Sequence, residues 1–357
     1  MKICYLNQTL RKHSGAGNFY YSIAAAVKTI MPEVTTEVLA SENLLYPNKF
    51  KLLFALPVIR KIIKGCDVIH ALDGWPYGVI AALANIGLNK PLIITAIGTG
   101  AVKPLYSPIK RLIMRWAYRR ANQVIAVSNS TKRELLKFMP ELNVEVIAHG
   151  VDPEKYRAVH AGYQAEAQKL KPYILSVGSL KPRKGFKYSL EAFAKLAGDF
   201  SELKYVIVGG GPDRDELETQ VRSYRLEGRV IFLSYLHQDN VNALYQNAEA
   251  FILLSQDDQK DLEGFGLVFL EAAACGLPVI GTKGTGAEDA ILEGQNGFLV
   301  PTGNSAGAAE MLGILLKDKK IWTDFSKRSV SFANEMTWEK AAGRYAAIYR
   351  RASGTSR

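Results

Sequence analysis

Short apolar runs rich in β-branched residues alternate with helical stretches along the chain, and the whole alternation occurs twice. In the first half the runs fall at 2–6, 67–70, 92–95, 123–127 and 144–148, with helical stretches near 18–30, 50–64, 76–86, 108–121 and 130–139. In the second half strands are expected at Tyr173–Val177, Tyr205–Val208, Val230–Leu233, Ala250–Leu254 and Pro278–Gly281. Helices are expected there near 186–197, 213–226, 239–247, 267–275, 305–316 and 338–350. A continuous apolar run suits a parallel strand buried on both faces, and its alternation with helices implies βαβ units. The pattern therefore predicts an α/β chain of two Rossmann-like domains, and 357 residues suit that number. Between the halves, Gly150-Val151-Asp152-Pro153 and a polar, strandless stretch to Lys171 read as a linker. The domains are accordingly set at 1–160 and 161–335, with 336–357 as a C-terminal helix whose candidate packing partner is the N-terminal domain. Open α/β sheets bind ligands beyond the carboxyl ends of their strands, so two such sheets are expected to face each other across a cleft that holds the site.

Composition narrows the class. Hydrophobic residues at 48% and charged residues at 22% exclude disorder, collagen and coiled coil as descriptions of the whole chain. The three cysteines, Cys4, Cys66 and Cys275, are too scattered for a disulfide framework and lack metal-ligand spacing, which fits a reduced, cytoplasmic setting. No apolar run reaches the roughly 18 residues that a bilayer requires. Residues 1–160 carry 21 Lys and Arg against 10 Asp and Glu, whereas residues 161–357 carry 24 of each. The entire basic excess thus lies in the first half, which is expected to face an anionic membrane surface, a nucleic acid or a phosphorylated substrate. Nucleic acid is the weakest of the three, because no recognition helix, aromatic platform or zinc spacing accompanies the charge.

Three strand-to-helix turns carry the candidate chemistry. Glu263-Gly264-Phe265-Gly266-Leu267-Val268-Phe269-Leu270-Glu271 follows a strand and opens a helix, whose unpaired N–H groups suit a phosphate. Glu263 stands before that helix and Glu271 about two turns into it, so the two carboxylates reach different hydroxyl-bearing parts of one ligand. Gly178-Ser179-Leu180-Lys181-Pro182-Arg183-Lys184-Gly185 ends in adjacent cations, a point charge and a bidentate fork, as a diphosphate site would. Gly209-Gly210-Gly211-Pro212 is a third, less specific glycine turn. Asp257-Asp258-Gln259-Lys260-Asp261 has an acidic look, but its lysine makes a solvated loop the better reading than a metal site.

Together with Ala274–Val279 and Ala148-His149-Gly150-Val151-Asp152, these segments resemble, in order, the retaining glycosyltransferases of family four, which have the GT-B fold. The resemblance spans essentially the whole chain. It implies transfer of a hexose from a nucleotide-diphosphate sugar to a glycan or lipid-linked acceptor, with retention at the anomeric carbon. Attack would come from the front side, the leaving phosphate would take the acceptor proton, and neither metal nor cofactor is implied. Carried over residue by residue, Glu271 would bind the ribose hydroxyls. Glu263 would contact the donor sugar, with backbone groups of Phe265, Gly266, Leu267 and Val268 nearby. Arg183 and Lys184 would neutralise the departing diphosphate. Gly15 and Gly17 would lie in a loop over the phosphates, and the base would lie near Ser234-Tyr235-Leu236. The chain departs from the family pattern at Ser179, where arginine is common, and at Leu72 and Ile97, where histidines often stand; His70 then reads as a strand-end histidine. A glucan synthase with a soluble acceptor and a non-catalytic nucleotide-sugar- or glycan-binding protein are the alternatives.

Two first-half helices bear on the acceptor. After Ser107-Pro108, a good cap and first helical position, Ile109, Leu112, Ile113 and Trp116 share one face while Arg111, Arg115 and Arg119 line another. The stretch Phe50–Lys64 is strongly apolar with cationic flanks. Such helices either cover the sheet and show their arginines to water, or lie on anionic lipid, placing the protein peripherally on the inner face of a membrane.

Overall fold

The computed structural model describes residues 1–12, 14–43, 49–159, 161–234, 236–257 and 261–354, and the side chains of these except 49–53. The chain divides into two compact units, one of Met1–Gly150 with Trp338–Arg357, the other of Val151–Thr337.

In the first unit, strands β1 (Lys2–Leu6), β2 (Thr35–Leu39), β3 (Val68–Leu72), β4 (Leu92–Ala96), β5 (Gln123–Ala126) and β6 (Val144–Val146) form one parallel sheet. Its order is β2-β1-β3-β4-β5-β6. The connecting helices are α1 (Gly15–Ile30), α2 (Lys49–Lys64), α3 (Val79–Ala84), α4 (Thr99–Val102), α5 (Pro108–Arg119) and α6 (Asn129–Phe138). Strand order reverses between β1 and β3, so right-handed crossovers put α1 on one face and α2, α3, α5 and α6 on the other. Strand β2 does not stand out in the sequence pattern. It is an edge strand paired only with β1, and its Thr35 and Thr36 face water.

The second unit repeats the plan. Strands β7 (Tyr173–Val177), β8 (Lys204–Val208), β9 (Val230–Leu233), β10 (Ala250–Ile252), β11 (Val279–Thr282) and β12 (Gly297–Val300) give a parallel sheet of order β12-β11-β10-β7-β8-β9. Its helices are α7 (Pro153–Arg157), α8 (Ala161–Gln168), α9 (Phe186–Leu196), α10 (Arg214–Ser223), α11 (Gln238–Asn247), α12 (Leu267–Ala274), α13 (Ser305–Lys317) and α14 (Lys319–Glu335). Here order reverses between β7 and β10, which makes the loops leaving those two strands the natural ligand-binding loops. The stretch after Gly150 is not a linker. Asp152 caps α7 by accepting from Lys155 N at 3.3 Å, Pro153 occupies the first helical position, and α7 and α8 pack on α12 and α11. The division therefore falls at Gly150, ten residues before the position read from composition.

The last helix, α15 (Trp338–Ala352), returns to the first unit and lies against α1. Trp338, Ala342, Tyr345 and Tyr349 are buried in one cluster with Phe19, Ile23 and Val27 of α1 and with Tyr5, Leu72 and Ile93 of the sheet. Tyr349 Oη shares hydrogen bonds with Tyr5 Oη at 3.1 Å and His70 Nδ1 at 2.7 Å, while His70 Nε2 meets Thr95 Oγ1 at 2.7 Å. Burial lowers the His70 pKa to about 3, so its imidazole is neutral and belongs to the core.

Candidate active site

The best-formed cluster of charge lies at the reversal point of the second sheet. After β7 the chain turns through Pro182–Lys184, and Gly185 (φ 64°) begins α9. Glycine is required there, because a Cβ at this position would run into the Leu254 carbonyl beyond β10. Gln256 N donates to Arg183 O at 2.7 Å, and the two loops are thus pinned together. From this junction Arg183 Nη1 reaches Glu263 Oε2 at 2.8 Å and Lys184 Nζ reaches the same oxygen at 2.6 Å. Ser255 Oγ lies 3.4 Å from that oxygen, and Arg183 Nε is 3.2 Å from Asp261 Oδ2.

Glu263 and Lys184 are buried and Arg183 is half-buried. Burial by itself would raise the Glu263 pKa, but Lys184 and Arg183 overcome it and hold the carboxyl below its usual range. Glu263 N donates to Asp257 Oδ1 at 2.6 Å and Glu263 O accepts from Gly286 N at 3.0 Å, so its backbone is fixed on both sides. Of the acidic stretch 257–261, Asp257 and Asp261 serve this cluster, and 258–260 lie outside the described residues.

A second carboxylate stands on α12. Glu271 is one turn, and not two, into that helix, which begins at Leu267 as the sequence pattern predicts, with Gly266 at the cap position. Tyr156 Oη donates to its Oε1 at 2.7 Å and Tyr245 Oη to its Oε2 at 3.1 Å. Burial raises the Glu271 pKa against the opposing pull of these two hydroxyls. Each carboxylate oxygen keeps a further lone pair, so a half-buried carboxylate oriented in this way can still accept from hydroxyls of a ligand. Phe265 and Gly266 are buried, and Leu267 and Val268 partly exposed, at the start of the same helix.

The other expected site residues have these local settings. Gly15 and Gly17 are not in a loop but in the first turn of α1, because Ser14 caps it by accepting from Gly17 N at 3.0 Å. A Cβ on Gly17 would strike the Arg11 carbonyl, which accounts for that glycine by close packing. The glycines 209–211 serve loop packing, with Leu180 N donating to Gly210 O at 3.0 Å. Leu236 is half-buried outside any regular element, and Tyr235 lies outside the described residues.

Sequence reasoning missed Tyr156, Tyr245 and Ser255 of this cluster and, in the first unit by itself, Asp73. Asp152-Pro153 was the available signal for Tyr156, since it marks a helix start. Asp73 follows β3 at the reversal point of the first sheet, with φ 142° and ψ 158°, a conformation costly for any side chain. Its Oδ1 accepts from Gly74 N at 2.8 Å. Burial raises its pKa to about 7, against the lowering effect of hydrogen bonds from the Gly74 and Ile97 amides.

Comparison with known proteins gives the family and the fold. The family model for glycosyl transferases group 1 matches residues 164–331, and that for glycosyltransferase family 4 matches residues 19–155. An uncharacterised glycosyltransferase of Methanocaldococcus jannaschii is 30% identical over 288 residues, covering 77% of this chain and 71% of its own. The N-acetyl-alpha-D-glucosaminyl L-malate synthase of Bacillus anthracis is 28% identical over 293 residues, covering 79% and 74%. The fold is that of the Anabaena protein HepE crystallised with UDP, at TM-score 0.81 and 21% identity over 98% of this chain and 99% of that one. The chain belongs to the group 1 (family 4) glycosyltransferases and has their two-sheet GT-B fold.

Proposed function

We propose that the protein transfers a hexose from a nucleoside-diphosphate sugar to a glycan or lipid-linked acceptor, with retention of anomeric configuration and without a metal ion. The observation that carries this reading is the convergence of Arg183 and Lys184 on one oxygen of Glu263 at the reversal point of the second sheet. Breaking a glycosyl–phosphate bond develops charge on the leaving diphosphate, and preorganised cations stabilise that charge. Arg183 supplies a fork and Lys184 a point charge for it, so the role a metal would fill is met by side chains. Glu263 keeps the two cations ordered and offers acceptor capacity to sugar hydroxyls, and Glu271, oriented by Tyr156 and Tyr245, suits the ribose. In front-side attack the acceptor oxygen forms its bond to the anomeric carbon on the face the diphosphate leaves, and the diphosphate takes the acceptor proton. HepE, with the same fold, has been crystallised with UDP and with UDP-glucose, which supports a nucleotide-sugar donor. No helix of the described residues is long and apolar enough to cross a membrane. A peripheral protein on a cytoplasmic leaflet, working on acceptors presented there, suits the basic first half.

The test is calorimetric titration of the protein with UDP, GDP, ADP and TDP, repeated on Lys184→Ala. One nucleotide should bind selectively and lose at least tenfold in affinity in the variant. No binding of any nucleotide would favour a non-catalytic protein of this fold. Transfer to the acceptor should continue in EDTA, and its abolition there would remove the metal-independent reading.

A further inference from the structure

The outer face of the first unit's α2, α3 and α5 layer breaks the usual rule that a surface helix turns its apolar stripe inward. Helix α5 buries Met114, Ala117 and Tyr118 against the unit, yet Ile109 and Leu112 are 73% and 69% exposed. Ile113 is also exposed, and Trp116 follows at the next helical step, so of the two readings of this stripe, covering the sheet or meeting a surface outside, the stripe takes the outward one. On α2 Phe54 is 84% exposed and Val58 is exposed beside it, and Ile86 at the end of α3 is exposed as well. These helices are neighbours: α3 packs on both α2 and α5, and Arg60 of α2 donates to Ala84 O at 3.0 Å. Among the described residues, six of the nine exposed large hydrophobic side chains therefore lie on one contiguous helical layer.

The charge of the same layer is one-sided. Segments 49–64 and 103–120 contain five and six basic residues and no acidic one. Lys61, Lys64, Arg119 and Arg120 are exposed around the apolar groups. Glu141 pairs with Arg115 and Arg119 but leaves Arg120, whose guanidinium stacks 4.8 Å from the Trp116 ring centroid. Arg120 also stands where two surface clefts meet, one lined by Lys90, Asn85 and Asn122, the other by Leu112, Arg115 and Trp116.

We infer that the α2–α3–α5 face docks on an anionic phospholipid bilayer. Ile109, Leu112, Phe54 and Val58 would enter the headgroup–acyl boundary while the surrounding cations meet lipid phosphates. An acidic protein would match the cations but not the scattered, projecting aliphatic groups, and a second copy of this face would bring like charges together. The inference names the site of the membrane contact suggested under the functional reading and rests on that reading only for its purpose, because lipid binding is measured without donor or acceptor.

The experiment is co-sedimentation of the whole protein with phosphatidylcholine vesicles, with and without phosphatidylglycerol, at low and high salt. Binding should require phosphatidylglycerol and weaken with salt. Ile109→Ser combined with Leu112→Ser should lower partitioning at least tenfold, and Arg120→Ala roughly fivefold, in line with the attraction of one basic group. Val159→Ser, an equally exposed position in the other unit, should change nothing, and all variants should keep nucleotide binding and melting temperature. Equal binding to neutral vesicles, wild-type partitioning by the double variant, or a concentration-dependent dimer that the double variant abolishes without any vesicle binding would each overturn the inference. None of these would touch the transferase assignment, which nucleotide titration tests separately.

Discussion

Glu263 holds two cations with one oxygen, and that single atom sets the electrostatics of the candidate site. In Glu263→Gln the buried Lys184 loses its anion while Arg183 keeps only Asp261, so stability should fall on the order of 3 kcal/mol. A nucleoside diphosphate would restore negative charge to Arg183 and Lys184. The rise in melting temperature on adding the nucleotide should therefore be larger in Glu263→Gln than in the wild type, as differential scanning fluorimetry can measure; an equal rise would detach the cations from the phosphate site. Asp73 obeys the opposite sign. Its carboxyl titrates at about 7 in the fold but near 4 when unfolded, so between these values the folded state holds the extra proton. Its contribution to stability is then present at low pH and is lost as pH rises through about 7. His70, neutral down to about 3, works against it by losing stability as pH falls below about 6.5. Asp73→Asn should accordingly gain stability relative to wild type as pH rises from about 4 to 7, in urea melts across that range. A constant difference would mean that the carboxyl is not displaced.

At the scale of elements, α15 anchors the first unit by its tyrosines as much as by its apolar face. Tyr349→Phe deprives both Tyr5 Oη and His70 Nδ1 of a buried partner, and the loss should be about 1–3 kcal/mol in chemical denaturation. A cost near zero would mean that water replaces the hydroxyl. The elements also show what a sequence can and cannot disclose. Ten strands were visible as short runs of apolar and β-branched residues, the edge strands β6 and β9 among them. Edge strands β2 and β12 were not, since β2 opens on the exposed Thr35 and Thr36 and β12 on Gly297, so neither gives a clear apolar run. Helix α14 escaped for the same reason, burying only Phe325, Ser329, Phe332 and Ala333 of its 17 residues. Within the site, Arg183, Lys184, Glu263 and Glu271 sit in compact motifs next to glycines and were legible. Tyr156 and Tyr245 were not, because they meet Glu271 from 115 and 26 residues away, a convergence that no local pattern encodes.

For the whole molecule, the two units differ in how the chain builds them. Val151–Thr337 is one continuous segment with its own sheet and its own charged cluster. Expressed alone, it should fold with a single cooperative melt and retain nucleotide binding within about tenfold of the intact chain if both carboxylates and both cations suffice for the nucleotide. The segment 1–150 alone lacks the helix that covers Tyr5, Leu72 and Ile93, so it should be soluble and cooperative only when 338–357 is supplied, which circular dichroism of the mixed fragments would show. Independent folding of 1–150 would mean that α15 is dispensable.

That interrupted layout also fixes an order in time. A ribosome delivers β1 to β6 and their helices first, yet part of the sheet face beside α1 waits for a helix that is synthesised after the entire second sheet. The segment made later can close first, while the earlier one keeps that apolar patch of the sheet and of α1 uncovered until residue 338 and those after it emerge. At about 5–20 residues per second that exposure lasts on the order of ten seconds or more, the interval in which a chaperone or a neighbouring nascent chain finds this protein at its most vulnerable.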